Sequence, residues 1–169
     1  MDFSTEFVAL RDRMLAGQDK AFVSNQNAEI AGRVAAMLST FDLSAERKLF
    51  GLMPTGNSGH AHEYRLLFAV PALDEALLQD WWQYAQSAER ELVRPDRNHD
   101  FSIVSLILAV GAVEKNALKS LKKLNAEREF KNGQSGWSSV RMAVIDLSAH
   151  KVHTNRMGDP LKNILNPFL

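Results

Sequence analysis

The chain has 169 residues, no cysteine, and 20 basic residues against 20 acidic ones. This length fits one domain with a sizeable core, and a composition of 46% hydrophobic and 24% charged residues is typical of a globular protein. Without cysteine there is no disulfide framework, no thiolate nucleophile and no Cys-ligated zinc or iron–sulfur centre. The composition is consistent with a cytoplasmic location.

The charge is unevenly distributed along the chain. Residues 1–100 carry 10 basic and 15 acidic side chains, whereas residues 101–169 carry 10 and 5. The second part therefore either attracts the first or offers a basic surface to an anionic partner. The amino terminus lacks the apolar core of a signal peptide, and no apolar run approaches the ~20 residues of a membrane span, so no membrane partner is expected.

Helical periodicity dominates the first 50 residues. A first amphipathic helix is predicted before Gly17, because its apolar residues recur at intervals of three and four positions. The same spacing predicts a second helix after Asn27, and Ser44 is placed to cap a short third one. The apolar stripes of the first two predicted helices are Phe3, Phe7, Leu10, Met14 and Ile30, Val34, Leu38, Phe41.

Strands alternate with helices in the predicted core, residues 60–169. The loop 54–60 leads into a strand over 62–70, followed by a helix over 74–93 and an apolar central strand over 101–110. A helix over about 112–131 and a third strand over 138–147 follow, with a return strand at 152–154. Asp159-Pro160 is typical of a helix start.

This order predicts a single α/β domain over residues 1–169. We expect a sheet of three to four mostly parallel strands with flanking helices, because strands that alternate with helices pair through crossover connections. Residues 1–50 are expected to form a helical segment that packs on this sheet or contributes to a dimer face.

Basic residues provide the most ordered polar pattern. Lysines recur along one face of the helix predicted after Gly111, where they form either a solvated surface or a phosphate-binding one. Asp146 is expected at the carboxyl end of a strand, where ligands gather in open α/β sheets. The candidate ligand-binding residues are Lys115, Lys119, Lys122, Arg141, Asp146, Asn155 and Arg156.

Established catalytic and cofactor motifs are absent from the sequence. The glycine-rich loop 55–59 leads into a predicted strand rather than a helix and has no following Gly-Lys-Ser/Thr, so it does not predict a phosphate loop. His60 and His62 could join His150 or His153 in a metal site, but this spacing is common by chance. We therefore predict no catalytic residue, no metal ligand and no cofactor.

Two functional classes remain open. The favoured one is a non-catalytic protein-interaction or regulatory module, with a homodimer through its first helices or through Trp82 as one form of it. Trp82 either offers a partner surface or covers the edge of the core beside Leu78. The alternative is an enzyme or binding protein for an anionic ligand, either nucleic acid or a phosphorylated small molecule.

Overall fold

A computed structural model describes residues 2–49 and 53–169 of the chain. The first half contains α1, β1, β2, β3 and α2, which span Phe3–Gly17, Val23–Ile30, Arg33–Leu49, Met53–Leu73 and Glu75–Leu92. The second half contains β4, α3, β5, β6, β7 and α4, which span His99–Val113, Lys115–Leu121, Ala126–Glu129, Trp137–Asp146, Lys151–Thr154 and Pro160–Leu165. A 3₁₀ turn at Arg156–Gly158 precedes α4, and another at Asn166–Phe168 follows it.

The described strands form one mixed sheet of seven strands in the order β1-β2-β3-β4-β6-β5, and β7 also pairs with β6. The central neighbours β3, β4 and β6 run parallel to one another. The remaining pairs are antiparallel. The strands β5 and β7 divide one edge of β6, because β5 pairs with residues 137–140 and β7 with residues 143–146.

The central part of the sheet confirms the prediction of three neighbouring parallel strands. Residues 101–110 form a strand that is almost entirely buried, and its two neighbours contain the segments predicted at 62–70 and 138–147. Helix α2 and the return strand β7 also lie where the sequence predicts them.

The predicted fold class is nevertheless wrong. The sheet has seven strands rather than three to four, and it is mixed rather than mostly parallel. Over residues 2–49 of the predicted helical segment 1–50, the structure has one helix, α1, which is followed by the antiparallel hairpin β1-β2. The predicted loop 54–60 is part of β3, while the end of the predicted third helix, at residues 50–51, lies outside the described residues.

The hairpin resembles a helix in sequence because the middle of β2 is covered on both faces. Met37 belongs to one core cluster and Leu38 to the other, so the alternation that identifies a half-exposed strand is lost. Ala31 and Gly32 connect the two strands, with φ angles of 48° and 79°. Two adjacent positive φ values are typical of a type I′ hairpin turn, which an Ala-Gly pair signals less clearly than Asn-Gly.

Helix α3 is shorter than predicted and ends at Leu121. The chain then forms β5, which pairs with β6 along an edge that would otherwise be open. The carbonyl of Leu124 accepts a hydrogen bond from the Asn155 side chain at 3.2 Å. Tertiary hydrogen bonds therefore override the helical preference of the sequence after Leu121.

Two apolar layers enclose the sheet. Helices α2 and α3 cover its first face, and the side chains of this layer include Leu78, Trp82 and Leu106. Helices α1 and α4 cover part of its second face, where Leu10 and Ile107 lie. In the described ranges, no helix has the length and apolarity required to span a bilayer.

The turn before β6 provides a test of the fold. Gly133 and Gly136 both have positive φ angles, but a Cβ atom at Gly136 would lie 2.0 Å from the carbonyl oxygen of Asp100, whereas one at Gly133 would have nothing within 4 Å. We expect Gly133→Ala to lower the free energy of unfolding by about 1 kcal/mol through backbone strain alone. Gly136→Ala should cost about 3 kcal/mol or more, because the backbone must also move. Equal midpoints for both variants in urea unfolding would contradict this packing.

Candidate functional site

The second face of the sheet is only partly covered. The row formed by Met37, Leu67, Ile107 and Ala143 packs in the core beneath α1 and α4. Beyond that row, towards the start of β4 and β6, large side chains of this face belong to neither core cluster. We call this region the uncovered patch, which consists of Phe41, Leu43, Glu63, Arg65, Phe101, Ile103, Ser105, Trp137, Ser139 and Arg141.

Strand register places a polar row at the border between the covered and uncovered regions. Ser39, Arg65, Ser105 and Arg141 are successive cross-strand partners on β2, β3, β4 and β6. The side chain of Ser39 is satisfied, because its hydroxyl donates to Oε1 of Gln18 at 2.9 Å. At the other end of the row, the Ser105 hydroxyl and the Nε atom of Arg141 have no hydrogen-bond partner among the described residues.

Arg141 is half-buried, but it makes no hydrogen bond or ion pair with any described residue, and its Nε atom is fully enclosed. Burial lowers the pKa of Arg141, opposed by the nearby charges of Glu63 and Glu127. The hydroxyls of Ser105 and Ser139 are also buried without a partner. Burying a guanidinium or a hydroxyl without compensation destabilises the fold, so this concentration of unsatisfied donors favours a ligand-binding role.

Arg65, the other arginine of the row, has both a counter-ion and an aromatic contact. Its Nε donates to Oε1 of Glu63 at 2.8 Å, and its guanidinium lies 4.1 Å from the centre of the Phe22 ring. Phe22 in turn packs against Phe41, with ring centres 5.4 Å apart. Of the two arginines in the row, Arg65 therefore contacts a counter-ion and an aromatic ring, whereas Arg141 contacts neither in the described part of the chain.

The far side of the patch is aromatic. Phe101 and Trp137 are cross-strand partners whose rings stack with centres 5.3 Å apart, and Trp137 is 39% exposed. Beside them, β5 carries Glu127 and Glu129, both exposed and without a hydrogen-bond or ion-pair partner among the described residues. A cavity of about 530 Å³ lies along this edge, between these acids, Trp137 and Met157. An exposed aromatic surface with a polar rim is typical of a protein-binding region.

Two of the predicted ligand-binding residues have structural roles. Asn155 is fully buried, and its Oδ1 accepts from the backbone N–H of Met142 at 3.0 Å. Oδ1 of Asp146 accepts from the hydroxyl of Ser148 and from the N–H of Ala149, which holds the turn between β6 and β7. Both side chains are occupied by hydrogen bonds within the fold.

The other predicted residues separate into different regions. Arg141 lies in the uncovered patch, and Arg156 is exposed in the 3₁₀ turn before α4. Lys115 and Lys119 are exposed on α3, while Lys122 follows the end of that helix. Of these, Lys122 lines a cavity of about 420 Å³ between α3, β7 and α4, which we call the basic cleft. The cleft is lined by Leu118, Leu121, Lys122, His150, Lys151, Val152, His153, Thr154, Lys162 and Asn166.

The histidines of the proposed metal alternative also lie apart. His60 and His62 are on β3, while His150 and His153 line the basic cleft. His62 stacks on the buried His99, which donates from Nδ1 to the Ser135 carbonyl at 2.7 Å. Within residues 2–49 and 53–169, there is no group of three or more metal-ligating side chains placed to hold an ion.

The two surfaces predicted to form a dimer pack at least in part against the sheet. Trp82 is buried in the first core cluster together with Leu78, which agrees with the alternative that it covers the core. The apolar stripe of α1 packs onto the sheet through Phe7, Leu10 and Met14. Sequence reasoning missed the uncovered patch, although one signal was present, namely the polar Ser105 and Arg141 inside otherwise apolar strands.

Comparison with known proteins identifies one family. A family model described as a domain of unknown function, DUF8052, matches residues 10–167, which is nearly the whole chain. No curated protein and no solved structure matches significantly.

Asn155 offers a test of the structural role assigned to it. Asn155→Ala removes a donor and an acceptor from two buried backbone groups, so we expect the free energy of unfolding to fall by about 2–4 kcal/mol. The matched control is Asn163→Ala on the exposed side of α4, which should change it by less than about 0.5 kcal/mol. Thermal or urea unfolding measures both. If Asn155→Ala unfolds like the wild-type protein, the side chain is not needed for the fold.

Proposed function

The chain belongs to the DUF8052 family, and we propose that it is a non-catalytic protein-interaction module that forms a homodimer through the uncovered patch. The observation that carries this proposal is the half-buried guanidinium of Arg141, which contacts no counter-ion among the described residues and lies on the same face of β6 as the exposed ring of Trp137. We propose a cytoplasmic location as well, supported by the cysteine-free composition.

The energetics of Arg141 favour a protein partner. In the isolated chain, the guanidinium loses part of its hydration and gains no hydrogen bond in return, which is unfavourable. A carboxylate from a partner would supply charge-assisted hydrogen bonds at this position. Arginine and tryptophan are also among the residues that most often dominate the binding energy of protein interfaces.

The second copy of the chain is the partner that the charges of the patch fit best. A two-fold interface brings the same surface together from both subunits, so this surface must complement itself. Among the described residues, Arg141 in the patch contacts no acid, and Glu127 and Glu129 on the β5 border of the patch contact no cation. Two copies can therefore pair each arginine with the acids of the other subunit around a shared aromatic centre.

Substitution of Trp137 tests the apolar centre of the interface. We expect Trp137→Ser to weaken self-association at least about tenfold, because interface tryptophans contribute a large share of the binding energy. Val34→Ser is the matched control, because Val34 is a large exposed apolar residue on β2 outside the patch. Sedimentation velocity over a concentration series measures both variants. A wild-type species that stays at 18.9 kDa at high concentration contradicts the homodimer.

Complementary charge variants test the pairing between subunits. Arg141→Glu should weaken the homodimer, and so should the double variant Glu127→Arg/Glu129→Arg, since each places like charges opposite one another. A mixture of the two variants should form a heterodimer, because the glutamate introduced in one chain then faces the arginines introduced in the other, while the second contact keeps its native charges. Native mass spectrometry with one chain isotopically labelled distinguishes the species. If the mixture associates no better than either variant alone, these charges do not pair across the interface.

A further inference from the structure

We propose that the basic cleft is a second, independent binding site, which takes a small ligand bearing a phosphate group. It lies at the β7 edge of the sheet and shares no residue with the uncovered patch. Its volume of about 420 Å³ falls in the range of small-molecule sites.

Three elements bring ammonium groups to the cleft. Lys122 follows α3, Lys151 begins β7, and Lys162 lies on α4. Lys162 donates to Oδ1 of Asp159 at 2.8 Å, but Lys122 and Lys151 have no hydrogen-bond or ion-pair partner among the described residues. Two lysines without an ion pair among the described residues and one partly neutralised lysine therefore line a single cavity, and Asp146 lies opposite Lys151 on the neighbouring strand.

All three lysines lie close enough to His153 to lower the pKa of its imidazole. Burial lowers the pKa of this half-buried imidazole, and the positive charges of Lys151, Lys122 and Lys162 lower it further, while Asp146 acts in the opposite direction. An anion bound among the three lysines would offset their effect, because it stabilises the imidazolium.

The acid at the start of α4 already forms hydrogen bonds with two side chains of the cleft lining. Asp159 accepts from the Thr154 hydroxyl at 2.8 Å as well as from Lys162. These hydrogen bonds and the charge of Lys162 hold the pKa of this carboxyl below its ordinary value. Its negative charge therefore offsets Lys162.

Asp146 is the cross-strand partner of Lys151, but its Oδ1 accepts from Ser148 and Ala149. Neither Lys122 nor Lys151 makes an ion pair among the described residues.

The lining also indicates which kind of anion fits. Lysine is a common phosphate ligand, and side chains from three separate elements can surround a compact polyvalent anion. Among the described residues, no Phe, Tyr or Trp side chain lines the cleft, so the stacking surface for unpaired nucleic-acid bases is limited to the imidazoles of His150 and His153. The apolar floor, which includes Leu118 and Leu121, is suited to a small organic part attached to the phosphate.

Titration of the wild-type protein with inorganic phosphate and with pyrophosphate tests the site. We expect both anions to shift the NMR signals of His153 saturably and to raise its pKa, with pyrophosphate binding more tightly because it carries more charge. Sodium chloride at the same ionic strength should raise the pKa less and without saturation, because it only screens the lysine charges. An equal shift in chloride would show general screening rather than binding, and this result would overturn the proposal.

Lysine variants locate the binding. Lys122→Gln/Lys151→Gln should raise the dissociation constant for pyrophosphate at least about tenfold, since each lost contact removes a charge-assisted interaction. Lys115→Gln/Lys119→Gln removes the same charge from α3 outside the cleft and should leave binding within about twofold. A similar loss of pyrophosphate affinity in both double variants would show that binding depends on the overall basic charge, and this result would overturn the proposed site in the cleft.

A single-stranded oligonucleotide provides the last arm of the experiment. We expect it to bind no more tightly than pyrophosphate and to lose affinity in both double variants alike. Tight oligonucleotide binding without a saturable phosphate response would overturn the small-ligand proposal in favour of nucleic acid. Since the variants leave the uncovered patch intact, sedimentation separates this outcome from a failure of the homodimer.

Discussion

The in-register parallel pairing of β3, β4 and β6 is the constraint on which the structure depends. Because side chains alternate between the two faces of a strand, the register decides which residues of distant segments become neighbours. It aligns Arg65, Ser105 and Arg141 in one row and Phe101 with Trp137 in another. A shift of one residue in either pair would move these side chains to the opposite face and into the apolar layer under α2.

Incomplete coverage of the second face turns this alignment into a candidate site. Helices α1 and α4 are short relative to the long central strands, and the apolar core they form ends at the row of Leu67 and Ile107. The next row is polar, and the rows beyond it are aromatic and charged. The transition from core to binding surface therefore occurs within single strands, over two residues of β4.

Sequence patterns succeed here where one local rule dominates. The central strand over residues 101–110 is apolar on both sides, and helix α2 lies between strong end signals. They fail for β1 and β2, because two-sided burial in the middle of β2, together with Ile30 at the end of β1, gives the apolar residues a helical spacing by chance. They also fail for β5, because this strand is stabilised by its pairing with the edge of β6 and not by a local sequence pattern.

The sequence by itself determined the parallel centre of the sheet, the helices α1 and α2, and the basic character of the second part of the chain, because these features follow from local apolar periodicity and composition. Only the tertiary structure decided the roles of individual polar residues. It engages Asn155 and Asp146 in hydrogen bonds and leaves Arg141 without a contacting partner in the part of the chain that the structure describes. It also brings lysines from three elements to one cleft. The physical reason is that hydrogen bonding and charge compensation depend on neighbours in space, and sequence spacing does not specify these neighbours.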